Sequence, residues 1–337
     1  MVLGPHRFDP DPAAAVFVES WAQSYGSPYL IAEDDPGAAE VALVEDASLT
    51  MHAGADAPEL RELAFVDGVR RGEASLYRIL NGALVRAIAG AHACGAVVAP
   101  SGGNMIFEAA RVSRLVIWGS GSPCDLPQLP GGWAWRSTSI ASDDPQAPLA
   151  ELQLRMRTAE GRFAEELADR GALVVADGPL NFALRRDRPI VGYVKRHQRA
   201  YLPKADHELV PRLRAGERST LFRLGDERLS CYLRLTDDPF GGPWAAIVRL
   251  EFSVSAGLAF TQRLADALAF RLPRYAGLFH RDPRAPQNLQ PIGALESHLR
   301  RHLGPEGLAE RAVREAVRAL AVGGTADART AQPGFAS

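Results

Sequence analysis

The order of apolar segments limits this chain to a mixed fold of strands and helices. Three strand-like stretches come first, at residues 62–70, 75–82 and 83–98, and Asn81-Gly82 between the last two is typical of a hairpin turn. They predict an antiparallel meander. An amphipathic helix over 149–169 follows, and more strands and helices come after it. Because strands and helices do not alternate strictly, the pattern predicts an α/β fold with a mixed sheet, not a doubly wound one.

Three regions are expected along the 337 residues. Residues 1–59 form an N-terminal helical and extended segment, with a short amphipathic helix over 11–25. Residues 60–303 contain the main strands and helices, and their apolar content is sufficient for a large core. Residues 304–337 form a C-terminal helix and then a disordered tail from Gly323.

Composition argues against several classes of protein. The net charge is −2, so binding to nucleic acid would have to rest on a local patch. The cysteines Cys94, Cys124 and Cys231 lie far apart, which argues against a zinc site or a disulfide framework. No apolar run approaches membrane length, and the first residues do not resemble a signal peptide, so a cytoplasmic protein is expected. The glycine-rich phosphate-binding and dinucleotide-binding motifs are absent from the sequence.

Two aspartates occur in the same setting. Asp67 in FVDG and Asp177 in VADG each follow an apolar run and precede a glycine. A strand that ends inside a sheet can present a metal-binding carboxylate at its tip, and glycine allows a turn or a close approach. An Asp-Gly pair is also one of the commonest turn sequences. Both interpretations remain open for each pair taken alone.

A third carboxylate is expected from the amphipathic helix. Glu160 flanks its apolar stripe, but Glu165 and Glu166 are equally acceptable by spacing. Two or three carboxylates placed together repel each other and require cations. Oxygen ligands without a cysteine or histidine cluster favour Mg²⁺ or Mn²⁺, and two such ions roughly 3.5–4 Å apart can promote phosphodiester cleavage.

The segment from 185 to 204 is rich in basic residues with interleaved aromatic residues, Tyr193 and Tyr201. Such a segment can bind a phosphate backbone and stacked bases, or it can be a solvated loop. The candidate nucleic-acid contacts are Arg185, Arg186, Lys195, Arg196 and Arg199.

Four segments together resemble the NurA nuclease family, over roughly residues 60 to 300. They are FVDGVRR (65–71), RMRTAEGRFAEEL (155–167), LVVADGPL (173–180) and VGYVKRHQRAYL (191–202). The resemblance implies a ribonuclease-H-like core, in which a mixed sheet is flanked by helices and followed by C-terminal helices. It also implies which residues form the site. Asp67, Glu160 and Asp177 would bind the metal, and Lys195 would contact a phosphate or order the attacking water.

The activity that the resemblance implies is DNA cleavage that depends on Mn²⁺ or Mg²⁺. Such nucleases degrade single-stranded DNA from the 5′ end and also cut it internally, in end resection and double-strand break repair. They form homodimers, are not membrane proteins, and work with a HerA-type hexameric ATPase.

Two other functions are kept as alternatives. Members of the NurA family carry a histidine near the C-terminus, whereas this chain has PQNLQPIGALESHLRRHL, with His298 a few residues further on. That departure motivates the first alternative, a catalytically weak or inactive DNA-binding subunit of an ATPase complex. The second alternative, a small-molecule hydrolase, has no nucleophile elbow or zinc signature to support it.

Overall fold

The structure, a computed structural model, describes residues 16–18, 41–60, 62–100, 103–182, 187–195, 200–237, 242–278 and 286–330. For 17–18 and 323–330 it describes the backbone only.

One large sheet dominates these parts of the chain. Its strands are β1 (Val16–Val18), β2 (Val41–Leu43), β3 (Met51–Ala53), β4 (Glu62–Leu80), β5 (Ala83–Pro100), β6 (Ile106–Trp118), β7 (Arg136–Ser139), β8 (Leu173–Asp177), β9 (Ile190–Val194), β10 (Glu217–Ser219), β11 (Phe222–Leu224), β12 (Arg228–Arg234) and β13 (Ile247–Ser253). The helices are α1 (Ala147–Asp169), α2 (Lys204–His207), α3 (Leu258–Arg271), α4 (Gln290–His302) and α5 (Glu306–Thr330).

The centre of the sheet has the order β6-β5-β4-β8-β9. β4, β5 and β6 are antiparallel neighbours, β8 runs parallel to β4, and β9 runs parallel to β8. Helix α1 precedes β8 in the chain, so it carries the chain across from the meander to the parallel strands. This is a ribonuclease-H-like arrangement and confirms the predicted fold class. β13, β12 and β11 extend the sheet beyond β9 with antiparallel pairing.

The predicted meander is correct, but its strands are assigned differently. The stretches 62–70 and 75–82 are parts of one strand, β4, which continues through an irregularity between Gly72 and Ala74. The third strand of the meander is therefore β6. The hairpin at Asn81-Gly82 is confirmed, with both residues at positive φ, as a two-residue turn between twisted strands requires.

The two ends of the chain differ from the sequence prediction. Within 11–25, where a helix is expected, the described residues 16–18 form strand β1 and pair with residues 76–78 of β4. A Val-Phe-Val stretch suits a strand, and pairing with β4 prevails over the helical spacing. Helix α5 continues to Thr330, beyond the expected start of the tail at Gly323, and residues 331–337 lie outside the described chain.

Alternating residues of β4 pack against helices on opposite faces of the sheet. Ala64 and Val66 pack in one core cluster with Phe163 of α1. Val69 packs with Leu295 and Leu299 of α4 in another. Because side chains alternate along a strand, Asp67 shares the face of Val69, which is covered by α4. Helix α1 covers the other face. Within the described residues, none of the helices is long and apolar enough to span a membrane.

Candidate metal centre

Asp67 lies where β4 loses its parallel neighbour. The pairing of β4 with β8 ends at Val66 and Ala176, and Asp177 is the last residue of β8. The expectation that Asp67-Gly68 ends a strand or forms a turn is wrong. Both residues remain paired with β5, which holds β4 extended past this point. The prediction of a strand end followed by a turn is correct for Asp177-Gly178, because Gly178 turns the chain at a φ of 101°.

A third carboxylate comes from α4, where sequence reasoning did not place one. One oxygen each of Asp67, Asp177 and Glu296 lies within 4.8 Å of the others. Leu295 and Leu299 hold α4 against the sheet on either side of Glu296. The sequence does contain a signal for this position. Glu296 directly follows Leu295 and lies three residues before Leu299, and both leucines belong to the buried stripe of the helix.

His298, the histidine considered near the C-terminus, has a different environment. Its ring stacks on Phe107 of β6 at a centroid distance of 4.1 Å. It does not belong to the group formed by Asp67, Asp177 and Glu296.

Glu160 is the inward-facing acid of α1. It is 6% exposed, whereas Glu166 is solvent-exposed and forms a salt bridge with Arg111. Glu160 approaches the sheet over Gly68, where a built Cβ would overlap its Oε1 atom. The Asp67-Gly68 pair thus presents a carboxylate on one face of β4 and leaves room for another on the opposite face.

Lys195 follows β9 directly and lies among the carboxylates. Its Nζ atom is 2.8 Å from Asp177 Oδ1 and donates to Asn288 Oδ1 at 3.0 Å. Burial lowers the pKa of this ammonium, but Asp177 and Asp67 more than offset the effect and hold it above its usual value. Lys195 is therefore a positive charge at neutral pH.

Arg157 is a second cation that sequence reasoning missed. Its Nη1 atom donates to Glu160 Oε2 at 3.0 Å and to the backbone oxygen of Asp177 at 2.9 Å. The Coulombic attraction of Glu160 raises the pKa of the guanidinium further above its usual value. The pair follows the i, i+3 spacing of a helix, which was visible in the sequence.

The carboxylates are held under electrostatic strain. Burial raises the pKa of Asp67 well above its ordinary 3.8, and the charges of Asp177 and Glu160 raise it further. Burial also raises the pKa of Glu160, although Arg157 opposes the rise. The Gly68 N–H donates to Asp67 Oδ1 at 2.8 Å. This single bond leaves most lone pairs of the Asp67 carboxylate for other partners.

These donors fit a hard divalent cation. The group offers carboxylate oxygens without cysteine or histidine, the ligand type that Mg²⁺ and Mn²⁺ prefer. Glu160 Oε1 is buried and has no hydrogen-bond partner among the residues that the structure describes. A buried carboxylate oxygen in that state calls for a partner, which an ion or an ordered water can supply.

Most of the candidate nucleic-acid contacts in the 185–204 segment cannot be placed in the structure. Arg185, Arg186, Arg196 and Arg199 lie outside the described residues. One part of the interpretation is wrong, because Tyr193 is fully buried in β9 and donates its hydroxyl to Gln287 O at 2.6 Å. Its ring is therefore not available for stacking with a base.

Comparison with solved structures finds a similarity to the NurA nuclease from Sulfolobus solfataricus. The TM-score is 0.43 at 11% sequence identity, covering 79% of this chain and 84% of that chain. That protein carries the name of the family that the four sequence segments resemble. No family model matches the chain, and none of the curated proteins matches it. The chemistry of the site has to be inferred from its own residues.

Proposed function

We propose that the protein is a metal-dependent nuclease that hydrolyses phosphodiester bonds in DNA. The observation that carries this proposal is the meeting of Asp67, Asp177 and Glu296 within 4.8 Å, beside the charged Lys195. A buried carboxylate such as Asp67, whose pKa is raised beside other carboxylates and a fixed cation, is more typical of a functional site than of a core.

Each residue has a defined part in this function. Asp67, Asp177 and Glu296, whose oxygens lie within 4.8 Å of one another, would bind the ion, and Glu160 would contribute its Oε1 from the α1 side of β4. When bound, Mn²⁺ or Mg²⁺ supplies Lewis-acid stabilisation of phosphoryl oxygens and makes water more acidic. Lys195 would contact a non-bridging phosphate oxygen, since Asp177 and Asn288 fix its ammonium in place.

The finer features of the function rest on the motif resemblance. They are preference for single-stranded DNA, 5′-to-3′ and internal cleavage, a role in end resection, a HerA-type ATPase partner and a homodimer. The backbone of the strand would lie along Lys195 and four of the arginines in the 185–204 segment, Arg185, Arg186, Arg196 and Arg199.

The test is cleavage of labelled single-stranded DNA with Mn²⁺ and, separately, with EDTA. We expect cleavage that requires Mn²⁺ and is lost in Asp177→Asn. Loss of a partner that only orients a metal ligand costs roughly 10–100-fold, so loss of a ligand should cost more. Glu166→Gln, an exposed acid on α1, is the matched control and should cleave normally.

Two results would contradict the proposal. Cleavage retained by Asp177→Asn would remove the metal centre from the chemistry. DNA binding without cleavage by the wild type would favour the alternative of an inactive DNA-binding subunit.

A further inference from the structure

We infer that the exposed ring of Phe107, supported by His298, stacks with an unpaired nucleobase of single-stranded DNA. This inference rests on the proposed nuclease function and assigns a base-binding position outside the metal centre. It also gives a role to His298, which does not belong to the group of Asp67, Asp177 and Glu296.

Three rings lie together beside α4, and we call them the ring stack. The rings of Phe107 and His298 are 4.1 Å apart between centroids, and their planes differ by 5°. The ring of His302, one turn further along α4, lies 4.4 Å from that of His298. Phe107 is nevertheless 48% exposed, which is unusual for phenylalanine. Since His298 supports one face of this ring, a base would extend the stack on the other face.

The ring stack and the metal centre share one face of the sheet. Phe107 pairs with Val97 of β5, and Val97 packs with Leu295 and Leu299 of α4. Directly paired residues face the same side, so Phe107 projects toward α4, as Asp67 does. Strands β4 and β6 are separated by two strand spacings, roughly 10 Å, which one short stretch of DNA can span.

Helix α4 offers a path between the two positions. Residues advance by roughly 100° around a helix, so Glu296 and His298 lie on opposite sides of the buried leucines. A strand that leads from one to the other crosses α4 at Ser297, which is exposed, as is Ala294 one turn earlier. These side chains are small, together with Gly293, so a DNA backbone can pass close to the helix.

The charge along this path favours a nucleic acid. Arg300 and Arg301 are exposed in the last turn of α4, next to the small residues and to the ring stack. Cations beside an exposed aromatic ring are the combination that binds phosphates and stacks bases in single-strand binding sites.

The competing explanation is an apolar contact with another protein, such as a second copy of the chain. Met105 and Ile106 precede Phe107 and are also exposed, at 49% and 57%. Ile106 pairs with Val98, which packs on the α1 side, so its side chain projects from the opposite face of the sheet. It is therefore the matched control for Phe107.

The experiment measures fluorescence anisotropy of a dye-labelled thymidine oligonucleotide and of an abasic one of equal length. The full-length chain is used with EDTA, so that metal-dependent cleavage does not interfere. Phe107→Leu keeps an apolar side chain without a ring, and it should weaken binding of the thymidine oligonucleotide by roughly 5- to 150-fold. Its affinity for the abasic oligonucleotide should not change. Phe107→Trp, which keeps a ring, and Ile106→Ala should bind both oligonucleotides as the wild type does.

Each result supports or overturns the inference. Unchanged affinity of Phe107→Leu for the thymidine oligonucleotide would overturn it. An equal loss for the abasic oligonucleotide, or a loss of the same size in Ile106→Ala, would also overturn it, because the ring would not be what the base contacts. If circular dichroism shows that Phe107→Leu does not fold, the fluorescence of Phe107→Trp decides. Quenching by the thymidine oligonucleotide beyond that of the wild type supports stacking, and no additional quenching overturns it.

The proposed function fails in a different way. A wild type that cleaves with Mn²⁺ and binds both oligonucleotides equally would overturn the base-binding position and leave the nuclease proposal intact. Binding that depends on Phe107, without cleavage in Mn²⁺, would support the base-binding position and contradict the nuclease.

Discussion

Among the described residues, two groups of possible metal-binding side chains look alike by distance and differ in their electrostatics. The first is Asp67, Asp177 and Glu296, and the second is Glu45, Asp46 and His52. In each, the ligand atoms lie within 4.8 Å of one another. The difference lies in how the surroundings of each group change the pKa values of its carboxylates.

The second group is satisfied by its own chain. Asp46 Oδ2 accepts from Thr50 Oγ1 at 2.6 Å and from Thr220 Oγ1 at 2.7 Å. These bonds lower the pKa of Asp46 to about 2. Arg218 donates to both oxygens of Glu45, at 2.7 and 2.8 Å. Such a group serves structure, because it ties the loop after β2 to β10.

In the first group the electrostatics have the opposite sign, because burial and the charges of Asp177 and Glu160 outweigh the effect of Lys195 on Asp67. The pKa of Asp67 is raised while that of Asp46 is lowered. Proximity of acids alone therefore does not identify a metal centre. A buried carboxylate whose pKa is raised by burial and by neighbouring acids, as at Asp67, is the more informative observation.

The largest expected effect is on the structural group. Arg218 is 1% exposed and pairs with Glu45 and with Asp266. Arg218→Met leaves Glu45 buried without its partner, which should cost about 3–5 kcal/mol of the free energy of unfolding. Urea unfolding measures this cost. Mn²⁺ binding by the folded variant should equal that of the wild type, and a loss of Mn²⁺ binding would show that the two groups are coupled.

An intermediate effect is expected at Gly68. Gly68→Ala places a methyl group where Glu160 Oε1 lies and should cost about 1–3 kcal/mol as an overpacking change. It should also weaken Mn²⁺ binding, because Glu160 must move. Gly242→Ala is the control, since nothing lies within 4 Å of its built Cβ. Equal Mn²⁺ affinity in Gly68→Ala and the wild type would remove Glu160 from the centre.

The smallest effects are opposite changes in metal-free stability. The carboxyl of Asp67 has a higher pKa in the folded state, so it ionises in the unfolded state first as pH rises above about 4. Between that pH and its folded pKa, Asp67 therefore progressively lowers the free energy of unfolding. The lowered pKa of Asp46 means that its contribution is present above about pH 4 and is lost as pH falls toward 2.

Urea unfolding with EDTA at pH 7 should therefore show Asp67→Asn as more stable than the wild type. Asp46→Asn should be less stable. The gain of Asp67→Asn should shrink when the measurement is repeated near pH 4. A change of the same sign in both variants would contradict the contrast between the two groups.

Sequence reasoning singled out several of the residues that the structure brings together. Three of them lie together because they come where a parallel strand or strand pairing ends: Asp67, Asp177 and Lys195. The apolar run before each of them is visible in the sequence. Glu160 required the family resemblance, because helical spacing did not separate it from Glu165 and Glu166. Its burial over Gly68 depends on how α1 packs on the sheet.

The remaining parts depend on long-range packing. Glu296 joins the group only because α4 docks on β4 and β5 through Leu295 and Leu299, far along the chain from Asp177. The extended backbone at Asp67 depends on β5, which local Asp-Gly chemistry does not reveal. The fold class could be predicted from the order of the elements. The extent of β4 and the strand formed by residues 16–18 could not, because both depend on pairing between distant strands.

Thermal melting of the metal-free chain during a Mn²⁺ titration tests the central claim most directly. Saturating Mn²⁺, at about 100 times the dissociation constant, should stabilise the wild type by about 2.7 kcal/mol. Asp46→Asn should show the same upward shift in melting temperature, and Asp67→Asn should show none. An absent shift in the wild type, or an equal shift in Asp67→Asn, would contradict a metal centre built on Asp67.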